Sequence, residues 1–117
     1  METTALSDRV RKYFSIFLAM DRPAAEAALS DGFTFNSPRD DHIDRAEYFE
    51  RCFPNGDKIR SLHIEQLFEN GDEVLVRYLA ELVDGSRFRN VEYMRFAGDK
   101  LAEVDVYFGS TLAVDAP

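Results

Sequence analysis

The sequence predicts an α+β domain in which one curved antiparallel sheet, a meander plus one short strand, packs on amino-terminal helices. The result is a cone or half-barrel with an internal pocket. Three observations predict it. Helical periodicity falls in the first half of the chain, strand-like alternation fills the second, and Asn70-Gly71, Asp84-Gly85 and Gly98-Asp99 punctuate the strands. Helices that precede a run of antiparallel strands mark an α+β architecture. A length of 117 residues leaves room for one domain, read as 1–117 with its core at about 7–109.

The elements follow in order. Val10, Tyr13, Phe14, Phe17 and Leu18 share one face of a helix expected from about Ser7 to Met20. Asp21 can cap a second, alanine-rich helix that tolerates Pro23 in its first turn and stops at Asp31-Gly32. Phe33-Thr-Phe-Asn-Ser37 alternates as a short strand ended by Pro38, and a loop is expected through Arg39, Asp40, Asp41 and His42. Asp44-Arg-Ala-Glu47 is a capping box, flanked by Ile43 and Tyr48 as a hydrophobic staple, for a third helix ending before Pro54. Strands are expected at about 59–69, 73–83, 86–96 and 101–108.

Composition narrows the function. The apolar fraction of 45%, with ten Phe and five Tyr, can build a core without covalent staples. Cys52 is the single cysteine, so no intrachain disulfide forms; it reads as a buried structural thiol in a reducing, cytoplasmic setting. Met1 to Asp8 lacks the pattern of a signal peptide, and no apolar run reaches membrane-spanning length. A net charge of −8 without a Lys/Arg cluster argues against nucleic acid and anionic membrane as partners. No glycine-rich phosphate loop or metal-ligand cluster is legible, so no cofactor and no metal are expected. His42 with Asp40 and Asp41 reads as a solvated turn. Ser37 has no histidine at a triad spacing.

Two-residue loops at Asn70-Gly71 and Asp84-Gly85 would set Arg77 opposite Glu92, Leu79 opposite Asn90 and Glu81 opposite Phe88. For the last hairpin, a two-residue loop would oppose Glu92 to Asp105, a repulsive pair. A three-residue count instead opposes Glu92 to Val106, Met94 to Val104 and Asn90 to Phe108. This register puts Leu62, Ile64, Phe68, Leu75, Leu79, Phe88, Met94, Phe96, Val104, Val106 and Phe108 under the helices, with Arg77, Glu81, Asn90 and Glu92 embedded among them. The opposite face, with Val76, Tyr78, Leu82, Val91 and Tyr93, reads as a homodimer interface.

Buried Arg and Glu need partners, and Arg77 with Glu92 would satisfy each other. Either that pair is structural, or it is the polar end of an apolar pocket for a small apolar or amphipathic ligand. On the second reading Glu92, Arg77 and Tyr13 are candidate catalytic groups. Glu81, Asn90, Phe17, Phe35, Ser37, Met94 and Phe108 are candidate substrate contacts.

The stretch from Tyr13 through Asp21 to Phe33-Thr-Phe-Asn-Ser-Pro38, the segment Glu92-Tyr-Met-Arg-Phe96 and the closing Val104-Asp-Val-Tyr-Phe108 resemble the nuclear transport factor 2-like superfamily. That superfamily includes SnoaL-like cyclases and ketosteroid isomerases. The resemblance spans about Ser7 to Gly109 and implies the α+β cone. It also implies that Tyr13 and Glu92 stand where the isomerases keep an oxyanion-hole tyrosine and a protonated aspartic acid, a system used as a general example of carboxyl tuning. Phe108 falls at an aromatic pocket wall. The isomerases' general base, an aspartate just before the proline, is Ser37 here. Arg77 beside Glu92 would hold that carboxyl ionised, which excludes the isomerase mechanism. Three functions remain open: a cofactor-independent hydrolase, dehydratase or cyclase on an apolar oxygen-bearing metabolite, a non-catalytic binding or dimerisation module, and a stable dimer with its pocket filled by side chains.

Overall fold

The computed structural model describes residues 5–112. Met1–Thr4, part of the stretch read for a leader, and residues 113–117 of the expected domain lie outside the described residues.

Helix α1 (Leu6–Leu18) buries Val10, Tyr13, Phe14 and Ile16. It stops two residues before the expected end because the chain reverses at Met20, which adopts φ 56°. Asp21 then caps α2 (Arg22–Ala28), accepting from the Ala24 N–H at 3.2 Å. That helix ends before Asp31-Gly32, since Leu29 is already extended, buried and paired with Leu101. Here sheet pairing overrides the helix propensity of the alanines.

Strand β1 (Leu29–Ser37) turns through Pro38 and Arg39 into β2 (Asp40–Asp44), where a loop was expected. Only Ile43 of β2 is buried, so a polar edge strand carried no apolar alternation. The expected cap of α3 (Arg45–Arg51) is present, with the Glu47 N–H bonded to Asp44 Oδ1 at 2.9 Å. A 3₁₀ turn, Phe53–Lys58, follows. Its Gly56 lies so close to the Phe17 carbonyl that a Cβ would collide with it.

Four long strands complete the chain: β3 (Ile59–Asn70), β4 (Glu73–Leu82), β5 (Arg87–Ala97) and β6 (Lys100–Leu112). The six strands form one curved, open sheet in the order β2-β1-β6-β5-β4-β3. All neighbours are antiparallel except β1 and β6, which run parallel. The helices cover its inner face. Val10, Leu29, Phe33, Val74, Val76, Met94 and Leu101 are fully buried between the layers.

The β4–β5 register departs from expectation by one residue. Leu82 and Ser86 are joined by a three-residue loop with Gly85 at φ 92°, and Asp84 Oδ1 accepts from the Ser86 N–H at 2.9 Å. A type I turn followed by a left-handed glycine is the standard three-residue hairpin. Arg77 therefore opposes Val91, Tyr78 opposes Asn90 and Val76 opposes Glu92. One slip inverts a whole strand: Val74, Val76, Tyr78 and Ala80 point inward, and Leu75, Arg77, Leu79 and Glu81 outward.

On β3 a bulge between Ile64 and Gln66 adds a second inversion. The two cancel for Leu62 and Ile64, which face inward as expected. Phe68, beyond the bulge, is exposed on the outer side. The β5–β6 pairs were read correctly: Asn90 opposes Phe108, Glu92 opposes Val106 and Met94 opposes Val104. The physical turn there has two residues, and a bulge after Leu101 supplies the third.

Candidate functional site

Between the helices and the inner sheet face lies a cavity of about 240 Å³. Most of its wall is apolar or aromatic, from Phe14 and Phe17 of α1, Phe35 of β1, Ile59 and Leu62 of β3, Phe88 of β5 and Val104, Val106 and Phe108 of β6. Three phenols, the carboxylates Asp40 and Glu92, and Ser37, Arg39, Asn55 and Asn90 interrupt that surface.

The inner end is built by β4 and β5. The Tyr78 hydroxyl donates to Oε2 of Glu92 at 2.5 Å and accepts from Nδ2 of Asn90 at 3.2 Å. Asn90 is buried, and its Oδ1 accepts from the Gly109 N–H at 3.3 Å. The chain of bonds thus runs from a backbone amide to the carboxyl. Burial pushes Glu92 up to about 7, against the Tyr78 hydrogen bond, which lowers it. Tyr78 is held well above the usual phenol range by burial and by the Glu92 charge, so it keeps its proton.

Across the cavity the hydroxyls of Tyr13 and Tyr48 are 2.6 Å apart. One donates to the other, and the second proton is left for the cavity. Burial is the main cause that raises both pKa values, and the Glu92 charge adds to it.

A second carboxylate sits nearer the outside. Ser37 and Asp40 are paired across the β1–β2 turn. Asp40 accepts from Ser37 Oγ at 2.9 Å, is ion-paired with Arg51 at 2.8 Å and lies 3.8 Å from Cys52 Sγ. Its side chain is only 10% exposed. Cys52 also lines the cavity; burial first, then the Asp40 charge, pushes its thiol up to about 12. Burial of this kind favours the protonated thiol.

Of the residues singled out in the sequence, Tyr13, Phe17, Phe35, Ser37, Asn90, Glu92 and Phe108 line this cavity. Met94 is fully buried between Val74 and Val104, outside the lining. Arg77 and Glu81 are corrections. The β4 inversion puts Arg77 on the outer face, half exposed and 3.5 Å from Glu65, which takes a closer, two-pronged bond from Arg89. Glu81 is also outside, 4.0 Å from Arg60. No Arg77–Glu92 pair exists, as site or as structural device, and the expected ionisation of Glu92 by a guanidinium goes with it. Val76 and Tyr78 leave the outer face, while Val91 and Tyr93 remain there.

Sequence reasoning missed Tyr48, Tyr78 and Asp40. The sequence offers Tyr48 as half of a staple, yet a polar ring on the buried face of a capped helix needs a hydroxyl partner, and Tyr13 is the unpaired candidate. Tyr78 was hidden by the register. Asp40 reads as solvated because β2, with only Ile43 buried, carries no apolar alternation.

No family model matches the chain, and no curated protein matches it in sequence. Solved structures do match. An NTF2-like protein of unknown function from Cytophaga hutchinsonii superposes with a TM-score of 0.72 at 23% identity, over 92% of this chain and 94% of its own. Another NTF2-like protein of unknown function, from Burkholderia pseudomallei, gives 0.73 at 18% identity over 91% and 92%. An LEH-like epoxide hydrolase from M. tuberculosis gives 0.71 at 15% identity over 86% and 80%. Likeness at these identities speaks for architecture and leaves activity to the side chains. The chain has the NTF2-like fold.

Proposed function

We propose that the chain binds a small apolar molecule through one oxygen atom and moves a proton on it without a cofactor, as a dehydratase, cyclase or isomerase does. The observation that carries this reading is Glu92, a carboxyl raised to about 7 in an apolar cavity that also holds a second carboxylate, Asp40. Two carboxyl groups in unlike environments are the usual makeup of an acid–base pair.

Tyr78 occupies Oε2 of Glu92, which leaves Oε1 free to donate to a ligand oxygen when protonated. The unclaimed proton of the Tyr13–Tyr48 pair supplies a second donor. Negative charge that develops on that oxygen is then stabilised in a water-poor site. Asp40, anchored by Arg51 and Ser37, accepts the proton that leaves a neighbouring carbon. The C–H electron pair forms the new C=C bond, the carbonyl π pair moves onto the oxygen, and the protonated Glu92 hydrogen-bonds the resulting enolate. Asp40 comes from the strand facing Ser37, so the base position absent at Ser37 is filled from across the turn. The same pair suits activation of a water molecule, and one solved structure of the same fold is an LEH-like epoxide hydrolase.

Proton exchange tests this directly. A panel of small cyclic ketones in D₂O, followed by NMR, should include one whose α-protons exchange faster with protein than with buffer. Asp40→Asn should slow that exchange at least ~100-fold, in line with loss of a general base, while ligand binding persists. Ketones that bind with no exchange at all would move the reading to a binding module.

We also propose that the outer sheet face pairs two copies of the chain. Support comes from Leu75 and Tyr107, 47% and 58% exposed on that face. Light scattering that returns a monomer mass at micromolar concentration overturns it. Among the described residues no helix is long and apolar enough to cross a membrane.

A further inference from the structure

The geometry points to an anion-binding subsite at the cavity mouth, formed by Arg39, so that the ligand is amphipathic: an oxygen at its inner end, an apolar body, and a carboxylate or similar anion at its outer end. This rests on the cavity reading above and names the ligand class within it.

Among the lining residues, Arg39, Asn55 and Phe108 are exposed, whereas Tyr13, Tyr48, Tyr78 and Asn90 are buried. The first three therefore mark the opening and the others the closed end. Among the described residues Arg39 is the single cationic side chain on the wall. Its guanidinium lies over the Phe108 ring, 5.8 Å from the ring centre, which places the charge beside the exposed aromatic at the opening.

Charge pairing at the mouth is lopsided. The neighbouring Asp40 is turned to Arg51 at 2.8 Å and is bonded by Ser37. Arg39 has no carboxylate within 4.0 Å among the described residues; Arg9, Arg11, Arg45 and Arg87 likewise lack one, but none of them lines the cavity. A guanidinium offers a planar fork of donors that matches a carboxylate. In a chain of net charge −8 the mouth thus holds an uncompensated cation. The apolar wall and the Asp40 carboxylate disfavour an anion placed deeper, which fixes the polarity of the ligand: anion outward, hydrogen-bonding oxygen inward.

The test uses two fluorescent probes that differ by one carboxylate, 2-naphthol and 6-hydroxy-2-naphthoate, titrated into the full chain at low salt. The naphthoate should bind about tenfold more tightly than the naphthol, the difference made by one charge-assisted bidentate contact. That ratio should shrink as salt is added and collapse towards one in Arg39→Gln, with Arg39→Lys retaining part of it. Arg39 is an exposed turn residue, so the variant keeps the fold. If the naphthol binds and the carboxylate adds nothing, or if its advantage survives in Arg39→Gln, the subsite is wrong and the cavity reading stands. If neither probe binds, the cavity reading fails and the subsite with it.

Discussion

The Tyr78 hydroxyl meets Oε2 of Glu92 at 2.5 Å from the adjacent strand, two positions along from Val76, which stands directly opposite Glu92. Both side chains point under the helices because the β4–β5 loop has three residues. A phenol that keeps its proton neutralises nothing, so burial decides the protonation of Glu92. That single substitution of partner, Tyr for the expected Arg, turns a carboxylate that could only accept into a carboxyl that can donate near neutral pH.

Stability should fall as pH rises through the Glu92 titration. Its carboxyl is raised from 4.5 to about 7 on folding, so the native state binds the proton more tightly than the unfolded chain. Between those values the native form holds more protons, and unfolding becomes easier with each step up in pH. The sum over the window is about 3 kcal/mol. Glu92→Gln keeps the shape and lacks the titration. Urea unfolding of both proteins from pH 4.5 to 7.5 should give a wild-type minus variant difference that declines with pH and flattens above 7. A flat difference throughout would mean that Glu92 is not shifted.

Tyr78→Phe should raise the Glu92 pKa further, because the hydroxyl is the one group that lowers it. Carbon-detected NMR titration of the Glu92 carboxyl would report the midpoint, expected above 7. The variant also leaves Nδ2 of buried Asn90 without its partner, although Oδ1 keeps the Gly109 amide. A cost of about 1–2 kcal/mol follows. An unchanged or lower midpoint would contradict the assigned geometry.

Much of this is legible in the sequence, and what is not shares one cause. The helices, the Asp44 cap and the β5–β6 pairing follow from local signals: periodicity, a capping box, and avoidance of the Glu92–Asp105 repulsion. The β4 register depends on whether Asp84-Gly85 closes two residues or three, and both loops suit that dipeptide. Apolar alternation could not arbitrate, because β4 carries Leu75 and Leu79 on one face and Val74, Val76 and Tyr78 on the other. The deciding information lies in tertiary partners. Tyr78 can reach Glu92 and Asn90, and Arg77 can reach Glu65 only after the β3 bulge turns that carboxylate outward. Asp40 was lost for a related reason, since an edge strand with one buried residue has no sequence period.

Arg77→Met should be nearly silent. Its guanidinium is half exposed, and its 3.5 Å contact competes with a better-formed bond from Arg89 to the same carboxylate. Exposed pairs of this kind contribute at most about 0.5 kcal/mol. Thermal denaturation should place the variant within that margin, and ligand affinity should be unaffected. A loss of several kcal/mol, or of binding, would return Arg77 to the interior.

Gly109→Ala should cost far more than Gly32→Ala, although both are exposed strand glycines. A Cβ at Gly32 meets open space, so that change should stay within about 0.5 kcal/mol. At Gly109 the same Cβ would overlap the Arg89 carbonyl, and backbone cannot swing aside as a flexible side chain can. The site is where two residues of β6 oppose one of β5, between the Asn90–Phe108 and Phe88–Thr111 pairs. Relief requires moving β6 away from β5, at a cost of about 1–3 kcal/mol. The displaced Gly109 N–H would also release Oδ1 of Asn90, the first link in the chain of bonds that ends at Glu92. Thermal unfolding measures the first effect. The NMR midpoint of Glu92 measures the second, and it should rise as Asn90 and Tyr78 lose their alignment.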